Sequence, residues 1–338
     1  MTSELIEHAD SETVEIPKPW TPQEALLSNM ELPLRGIFYP LGYAVEIVTN
    51  EPAVLEAANE SFGHARLYRA STTLQVRIGV SEGGDSECPP EPTRRQYNHL
   101  YSLVADVDNQ ALLDLRLCIG FAWLKKAAVD NRLYFRYNFL EKTVYLLLGS
   151  SVVTDLHAAC VSKNGKGILL CGDSGAGKST LSYACARAGW TYTSDDTSYL
   201  INSSSVLRVI GHSHRVRFRP TAKALFPELE GRELTPRLEG KPSLEIPTSE
   251  LPGLITASEA RVHSIVYLNR SASGTGKLVP LPAGTATQRT RKELYSAGEI
   301  RRKHEKILQV LSAIPTYELQ YRDLDHAIDQ LELLTRDQ

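Results

Sequence analysis

The spacing of apolar residues in the first part of the chain predicts alternating strands and helices. Residues 37–48 combine aromatic and β-branched side chains, which favours strands, whereas residues 52–62 place apolar side chains at helical spacing. Residues 74–80 alternate between apolar and polar types, which predicts another strand. A loop rich in Gly, Pro, Ser and acidic residues follows at 81–92. Apolar positions three and four residues apart then predict a buried helix over 108–128, and together these elements predict an α+β unit.

The next part of the chain is dominated by short apolar runs. Residues 144–148 form one run and predict a strand. Residues 157–163 and 166–171 form two more, joined by Asn164 and Gly165. Asn-Gly between apolar runs is the strongest short-range hairpin signal, so these two runs predict paired antiparallel strands.

The rest of the chain continues the alternation of helices and strands. Residues 178–188 keep their apolar side chains on one face and precede Gly189, which predicts a helix with a glycine C-cap. Residues 190–194 predict the next strand. Further strands are predicted at 214–220 and 317–321, and amphipathic helical segments at 289–306 and 323–334.

The 338 residues exceed the usual size of one domain, so we expect more than one. The predicted organisation is a flexible arm at 1–20, an N-terminal α+β domain at 21–142 and a second domain at 143–338. The expected fold class is α/β with α+β character.

Composition excludes several classes of function. Lys and Arg total 37 against 40 Asp and Glu, so no overall positive charge favours binding to nucleic acid or to an anionic membrane. The five cysteines are widely spaced without a C-x-x-C pair, which indicates neither a disulfide framework nor a zinc cluster. No apolar run approaches the length of a membrane span and the first residues are acidic, so we expect a cytoplasmic protein.

The strongest chemical signal is the segment 172–179. It reads Gly-Asp-Ser-Gly-Ala-Gly-Lys-Ser and matches the phosphate-binding pattern G-x-x-x-x-G-K-[ST] between a predicted strand and a predicted helix. The pattern predicts that Lys178 reaches the β- and γ-phosphates of a nucleotide and that the Ser179 hydroxyl binds Mg²⁺. An ordinary glycine turn before a helix is the alternative. The residues predicted to bind the nucleotide are Gly172, Asp173, Ser174, Gly175, Ala176, Gly177, Lys178, Ser179 and Thr180.

A pair of carboxylates follows the next predicted strand. Asp195 stands 17 residues beyond Lys178 and is followed directly by Asp196. Two neighbouring carboxylates beside a bound nucleotide can divide their roles, one holding Mg²⁺ and the other accepting a proton from an acceptor hydroxyl. The alternative is an acidic turn that caps a helix.

Basic residues downstream are further candidates for contact with phosphate or substrate. Arg215, Arg217 and Arg219 alternate along a predicted strand and therefore share one face, where they could neutralise a transferring phosphoryl group. Lys241, between Gly and Pro, is a weaker candidate. A solvated edge-strand face and a plain loop lysine are the alternatives.

The stretch from Leu156-His157-Ala158-Ala159 through the 172–179 segment to Ser194-Asp195-Asp196 resembles the HPr kinase/phosphorylase family. ATP-dependent phosphoenolpyruvate carboxykinases share this loop and acidic pair more distantly. The resemblance covers about residues 144–200. It implies a P-loop kinase domain in which Asp195 is a general base, Asp196 helps Ser179 hold Mg²⁺, and His157 lies near the transferred phosphoryl group. Without the resemblance, a lone histidine at the start of a strand is more often a structural residue.

The resemblance also implies a Mg-ATP-dependent serine kinase and a homo-oligomer. Thr180 stands where the family typically has Glu, and no second glycine-rich signature follows downstream, so the reverse phosphorylase reaction stays open. Similar truncated enzymes accompany peptide-modifying pathways such as those of lasso peptides. We therefore expect ATP and Mg²⁺ as cofactors and a serine of a protein or peptide as acceptor. A small-molecule kinase or carboxykinase-like enzyme and a non-catalytic nucleotide switch are the alternatives.

Overall fold

A computed structural model of the chain describes residues 30–65, 69, 73–83, 87–202, 206–238, 241–270, 277–294 and 300–336. The arm predicted at 1–20 lies outside these residues. No helix among them is long and apolar enough to cross a lipid bilayer. All five cysteines are described, and each is a free thiol.

The first unit is built on a mixed sheet. Its strands are β1 (Leu34–Phe38), β2 (Val45–Thr49), β3 (Leu74–Ser81), β4 (Thr93–Tyr97), β5 (Leu100–Val104), β6 (Gln110–Asp114) and β7 (Ile119–Lys125). Among the described residues they pair in the order β1-β2-β3-β7-β6-β5-β4. The pairs β2–β3 and β3–β7 are parallel and lie in the centre of the sheet.

Helix α1 (Pro52–Phe62) connects β2 to β3, and the prediction of this helix is confirmed. Pro52 at the first turn needs no hydrogen-bond partner there, and the Glu51 side chain caps the helix by accepting from Ala53 N at 3.1 Å. Val54 and Phe62 are buried on its inner face against the sheet.

The helix predicted over 108–128 is wrong, because this segment forms β6 and β7. A turn separates the two strands, and Asp114 Oδ1 accepts hydrogen bonds from the N–H groups of Arg116 and Leu117, both at 2.9 Å. Such local bonds offer the backbone an alternative to a helix. Because β7 is buried on both faces, its apolar residues do not alternate, and their spacing imitates a helical pattern.

The strand predicted at 144–148 is also wrong. Residues 144–148 instead belong to helix α4 (Lys142–Ser151). This helix follows α2 (Lys126–Asp130), α3 (Arg132–Phe135) and a π-helical segment (Arg136–Glu141). Val144, Leu147 and Leu148 are fully buried in the core of the first sheet. These three residues are spaced three and four apart and therefore lie on one helix face. In a run of apolar residues as short as 144–148, however, the periodicity cannot distinguish a helix from a strand. The predicted domain boundary at 142/143 falls at the start of this helix.

The second unit is built on a larger mixed sheet. Its strands are β8 (Val153–Leu156), β9 (Ala158–Lys163), β10 (Lys166–Cys171), β11 (Thr191–Ser194), β12 (Ser198–Ile201), β13 (Arg208–Gly211), β16 (Ile255–Thr256), β17 (Glu259–Arg270), β18 (Lys277–Pro280) and β19 (Thr316–Tyr321), while β14 (Arg215–Phe218) and β15 (Leu244–Pro247) pair separately. In the described chain the order is β16-β11-β9-β10-β17-β13-β12-β8, with β19 beside β17 and β18 beside β19.

The helices of the second unit cover this sheet. They are α5 (Lys178–Arg187), α6 (Ala283–Glu293), α7 (Ile300–Ser312) and α8 (Leu324–Glu332), with short 3₁₀ turns at Pro220–Ala224, Pro227–Leu229 and Thr248–Glu250. The predicted 157–171 hairpin is confirmed, and Asn164 and Gly165 both take the positive φ that its two-residue turn requires. The predicted helix at 178–188 and strand at 190–194 are confirmed. The helical segment predicted at 289–306 instead includes the end of α6 and the start of α7.

The two units share apolar packing. Val153, Ile201 and Ile210 come from strands of the second sheet, yet they pack in the same core as the first sheet and α4. A second core lies between α5, α8 and the face of the second sheet, and a third lies beneath α7. The architecture confirms the predicted α/β class.

Candidate functional site

A tight loop joins the end of β10 to the start of α5. Gly175 and Gly177 have φ values of 96° and 101°, in the left-handed region that favours glycine. A Cβ atom on Gly177 would overlap with Tyr321 Oη, and this hydroxyl donates a hydrogen bond to the Ala176 carbonyl at 3.0 Å. The loop is therefore held against the sheet by a tyrosine of β19.

Lys178 is buried at the first position of α5. Its ammonium group donates to the carbonyl oxygens of Gly172 at 2.6 Å and Asp173 at 3.3 Å, and it lies 3.0 Å from His157 Nε2. Because an ammonium group only donates, Nε2 accepts and the ring proton belongs on Nδ1. That nitrogen lies 3.5 Å from Asp196 Oδ1, so one imidazole connects the lysine to the acidic pair.

The acidic pair follows the end of β11. Asp195 is buried, and its Oδ2 accepts a hydrogen bond from Arg217 N at 2.8 Å. Burial raises the pKa of the Asp195 carboxyl to about 6, against the opposing effect of that hydrogen bond. Asp196 is 40% exposed, and Ser179 Oγ donates to the Asp195 carbonyl at 3.3 Å. The first turn of α5 and the acidic pair are therefore in direct contact.

The predicted arginine face lies on β14, where Val216 and Phe218 are buried on the opposite side as expected. Arg217 Nη1 lies 3.6 Å from Asp196 Oδ2. Arg215 instead pairs with Glu245 of β15 at 3.2 Å. Arg219 follows the strand and lines the same cavity as the loop, whereas Lys241 is exposed and lines none of the cavities described below.

Two cavities meet at the acidic pair. One of about 240 Å³, the loop cavity, is lined by the 174–180 segment, His157, three arginines and Asp196. The other, of about 710 Å³, lies between the two units and is called here the inter-unit cavity. Asp196 and Arg217 line both, and Asp195 lines the inter-unit cavity. The acidic pair therefore forms the boundary between the two spaces.

The walls of the inter-unit cavity come from both halves of the chain. The first half contributes Tyr137 and Tyr145, and the second contributes Tyr199 and Arg237. The rings of Tyr145 and Tyr199 are stacked with centroids 5.9 Å apart, and Lys142 Nζ lies 5.1 Å from the Tyr137 ring centroid. The space thus combines aromatic walls with charged groups, which suits a polar molecule or side chain.

A third cavity of about 610 Å³ lies on the other side of the loop. Gly177, Thr180 and Arg270 line both this cavity and the loop cavity. Phe226 and Ile328 give it an apolar wall. We call it the helix-side cavity because α5 and α8 both border it.

Three histidines cluster beside the inter-unit cavity. His64 follows α1, and His212 and His214 lie between β13 and β14. Burial, with the nearby Arg215 charge contributing, lowers the pKa of His212 well below its ordinary value. Burial and the neighbouring His64 lower that of His214 to about 3. These two imidazoles are therefore neutral at pH 7.

Several site residues were not predicted from the sequence. Arg270 at the end of β17, Tyr321 at the end of β19, and the tyrosines of the inter-unit cavity come from parts of the chain that carry no motif. The His212-Ser213-His214 spacing was a visible signal, because alternate residues of an extended segment share one side. His64 had no such signal.

Comparisons with known proteins give distant structural matches. No protein-family model matches the sequence, and no curated protein matches it. Among solved structures, the HPr(Ser) kinase/phosphatase from Coxiella burnetii is similar at 14% identity over 54% of this chain and 92% of that chain, with a TM-score of 0.30. This is a distant structural similarity, and it does not assign an activity.

Proposed function

We propose that the chain is a kinase that transfers the γ-phosphoryl group of Mg-ATP to the hydroxyl group of a serine in a protein or peptide. The observation that supports this proposal is the boundary between the two cavities at Asp196 and Arg217. Direct transfer requires donor and acceptor on opposite sides of the reacting phosphorus. The loop cavity fits the donor and the inter-unit cavity the acceptor.

On the donor side, the loop presents backbone N–H groups and Lys178 to the phosphates of the nucleotide. The amino-terminal end of α5 adds the positive end of its dipole. Arg270 shares the loop cavity and the helix-side cavity, so it lies between the phosphates and the space that we assign to the nucleoside. Leu225, which is 45% exposed, gives that space an apolar surface suited to a base.

Ser179 and Asp196 fit a magnesium site. Hydroxyl and carboxylate oxygens are the ligands that Mg²⁺ prefers, and Asp196 is open to the loop cavity. When bound there, Mg²⁺ would neutralise charge on the transferring phosphate. His157 and Arg217 contact Asp196 and hold its carboxylate at the boundary.

The proposed chemical step uses Asp195 as the general base. The acceptor hydroxyl loses its proton to the Asp195 carboxylate while its oxygen forms a bond to the γ-phosphorus. The bond from that phosphorus to the bridging oxygen breaks, and ADP leaves. With a pKa of about 6, the carboxyl is ionised at pH 7 and still basic enough to take the proton. Arg217 and Arg219 line the space where negative charge develops.

A small-molecule kinase is the second candidate. The inter-unit cavity has about 710 Å³, within the range of about 300–1,000 Å³ typical of small-molecule sites. Its aromatic and charged walls suit a polar metabolite as well as a peptide segment. A non-catalytic nucleotide switch is less favoured. Such a protein needs no proton acceptor, yet Asp195 is a buried carboxylate that lines the inter-unit cavity and not the loop cavity.

The test is transfer of label from γ-labelled ATP into proteins, peptides and metabolites of an extract from the source cells. Wild-type protein is compared with Lys178→Ala and Asp195→Asn, and Lys223→Ala is the control at an exposed lysine outside the loop cavity. We expect label in a protein or peptide with wild type and Lys223→Ala, and at least about 100-fold slower labelling with both site variants. Label in a metabolite alone moves the function to the second candidate, and equal labelling by all four proteins refutes both.

A further inference from the structure

The three clustered histidines bring imidazole groups from both units to one point. One ring nitrogen from each of His64, His212 and His214 lies within 4.8 Å of the other two. The His64 and His214 rings have centroids 3.6 Å apart at an angle of 36°, and His212 meets His214 edge-on at 5.7 Å. Since His64 lies about 150 residues before the other two, only the tertiary structure makes this arrangement.

The cavity that holds the cluster has a mixed charged lining. This cavity of about 340 Å³ is lined by three carboxylates, Glu60, Glu141 and Glu245, and by two guanidinium groups, Arg136 and Arg215. Each arginine is paired with one or more of these acids, at distances of 3.1–3.2 Å. Arg132 and Arg237 also pair with Glu60 and Glu245, so these carboxylates are compensated and only the three imidazoles indicate a ligand site.

The ring nitrogens themselves are available. Within the described part of the chain, no hydrogen bond or ion pair involves a ring nitrogen of His64, His212 or His214. Imidazole rings that pack only structurally usually donate a ring N–H to a carbonyl or carboxylate. The three rings converge on an open cavity without such partners, so their nitrogens are free to bind a ligand there.

We propose that His64, His212 and His214 form a binding site for a divalent transition-metal ion of the zinc class, with at least one position left for an external oxygen ligand. Zinc–nitrogen bonds of about 2.0–2.1 Å bring tetrahedral ligand nitrogens to about 3.4 Å from each other. The histidine nitrogens therefore need to close from at most 4.8 Å to about 3.4 Å, and the stacked His64 and His214 rings turn apart as they do so. His64 is exposed and follows the last turn of α1, so its side chain can move this far.

The position of the site suggests what the ion does. It ties the chain after α1 in the first unit to the turn between β13 and β14 in the second. His212, Arg215 and Glu245 line both the histidine cavity and the inter-unit cavity. The ion therefore fixes the wall of the proposed acceptor space that the two units make together.

The test is a Co²⁺ titration of tag-free full-length protein stripped of metal with a chelator, followed by visible absorption. We expect one Co²⁺ per chain with tetrahedral d–d bands, displaced by one equivalent of Zn²⁺. His64→Ala should weaken binding at least about 100-fold, because loss of even an outer-shell partner costs about 10–100-fold. His326→Ala, at a histidine of α8 outside the cluster, should bind like wild type.

Two further variants separate this site from the proposed magnesium site. Asp196→Asn and Lys178→Ala should keep the Co²⁺ bands, because neither residue touches the cluster, and no nucleotide is present. Circular dichroism of His64→Ala and of the milder His214→Gln checks that both are folded. Absence of a Co²⁺ band in wild type, or an unchanged band in folded His64→Ala, overturns the proposal whether or not the protein is a kinase.

Discussion

At the scale of single residues, Asp195 carries a carboxyl group that the fold withdraws from water. Hydrogen bonds from Arg217 N and the Tyr192 side chain compensate its charge only in part, so burial dominates and the pKa rises from 3.8 to about 6. The ionised form is therefore less stable in the folded protein than in the unfolded chain. A residue suited to accept a proton is thus a residue that costs stability at neutral pH.

Replacement of Asp195 by Asn should reveal this cost. The folded pKa lies above the unfolded one, so the favourable contribution of the carboxyl is full below pH 3.8 and is lost as pH rises through 6. Asp195→Asn should therefore be more stable than wild type at pH 8, by at most about 3 kcal/mol. The difference should shrink between pH 6 and pH 4. Urea unfolding at pH 8, 6 and 4.5 measures it, and a pH-independent difference would contradict the assignment.

At the scale of elements, the strand–loop–helix unit of β10 and α5 depends on a partner far along the chain. Gly177 has no room for a side chain because Tyr321 Oη occupies the space beside it, and the same hydroxyl bonds to Ala176. Loop conformation and β19 are therefore coupled, although about 145 residues separate them.

A double-mutant cycle tests this coupling. Gly177→Ala introduces both a backbone strain of the order of 1–3 kcal/mol and an overlap with the tyrosine hydroxyl. Tyr321→Phe alone should cost about 1 kcal/mol, for one lost hydrogen bond. In the Tyr321→Phe background, Gly177→Ala should cost about 1 kcal/mol less than in wild type, because the overlapping oxygen is gone.

Gly284→Ala is the control for the cycle. It lies in the first turn of α6, where an added Cβ meets no atom within 4 Å. This change should be neutral or slightly stabilising by chemical denaturation. Strict additivity of Gly177→Ala and Tyr321→Phe would show that the loop and β19 are independent.

At the scale of the whole molecule, the two units enclose the inter-unit cavity and share a core. The donor side of the proposed active site is made by the second unit alone, whereas the acceptor side includes Tyr137 and Tyr145 of the first. The first unit is therefore expected to select the acceptor and leave nucleotide binding unchanged.

Tyr137→Ala should separate these two functions. We expect the KM for the acceptor identified by labelling to rise about tenfold, which corresponds to about 1.4 kcal/mol, while the KM for ATP stays within a factor of two. Tyr97→Ala is the matched control, because the Tyr97 side chain is 77% exposed at the end of β4 and does not line the inter-unit cavity. A parallel rise in both KM values would instead indicate general distortion of the molecule.

Local chemistry explains which parts of the fold could be predicted. The 157–171 hairpin, the loop and α5 rest on Asn-Gly, on spaced glycines and on a C-cap, all of which act within a few residues. Residues 108–128 and 144–148 carry apolar runs with no such markers. In these segments, packing against neighbouring strands or helices determines the secondary structure, and a single sequence does not show which elements will be neighbours.

The sequence by itself determined the loop, Lys178, Ser179 and the Asp195–Asp196 pair as candidates, because these residues are contiguous or one strand apart. Only the tertiary structure brought His157 between Lys178 and Asp196. It alone paired Arg217 with Asp196 and Arg215 with Glu245, and it alone gathered His64 with His212 and His214. It also formed the inter-unit cavity from both halves of the chain. The physical reason is that the order of strands in the sheets and burial against a shared core place these side chains, and both arise from contacts between residues distant in sequence.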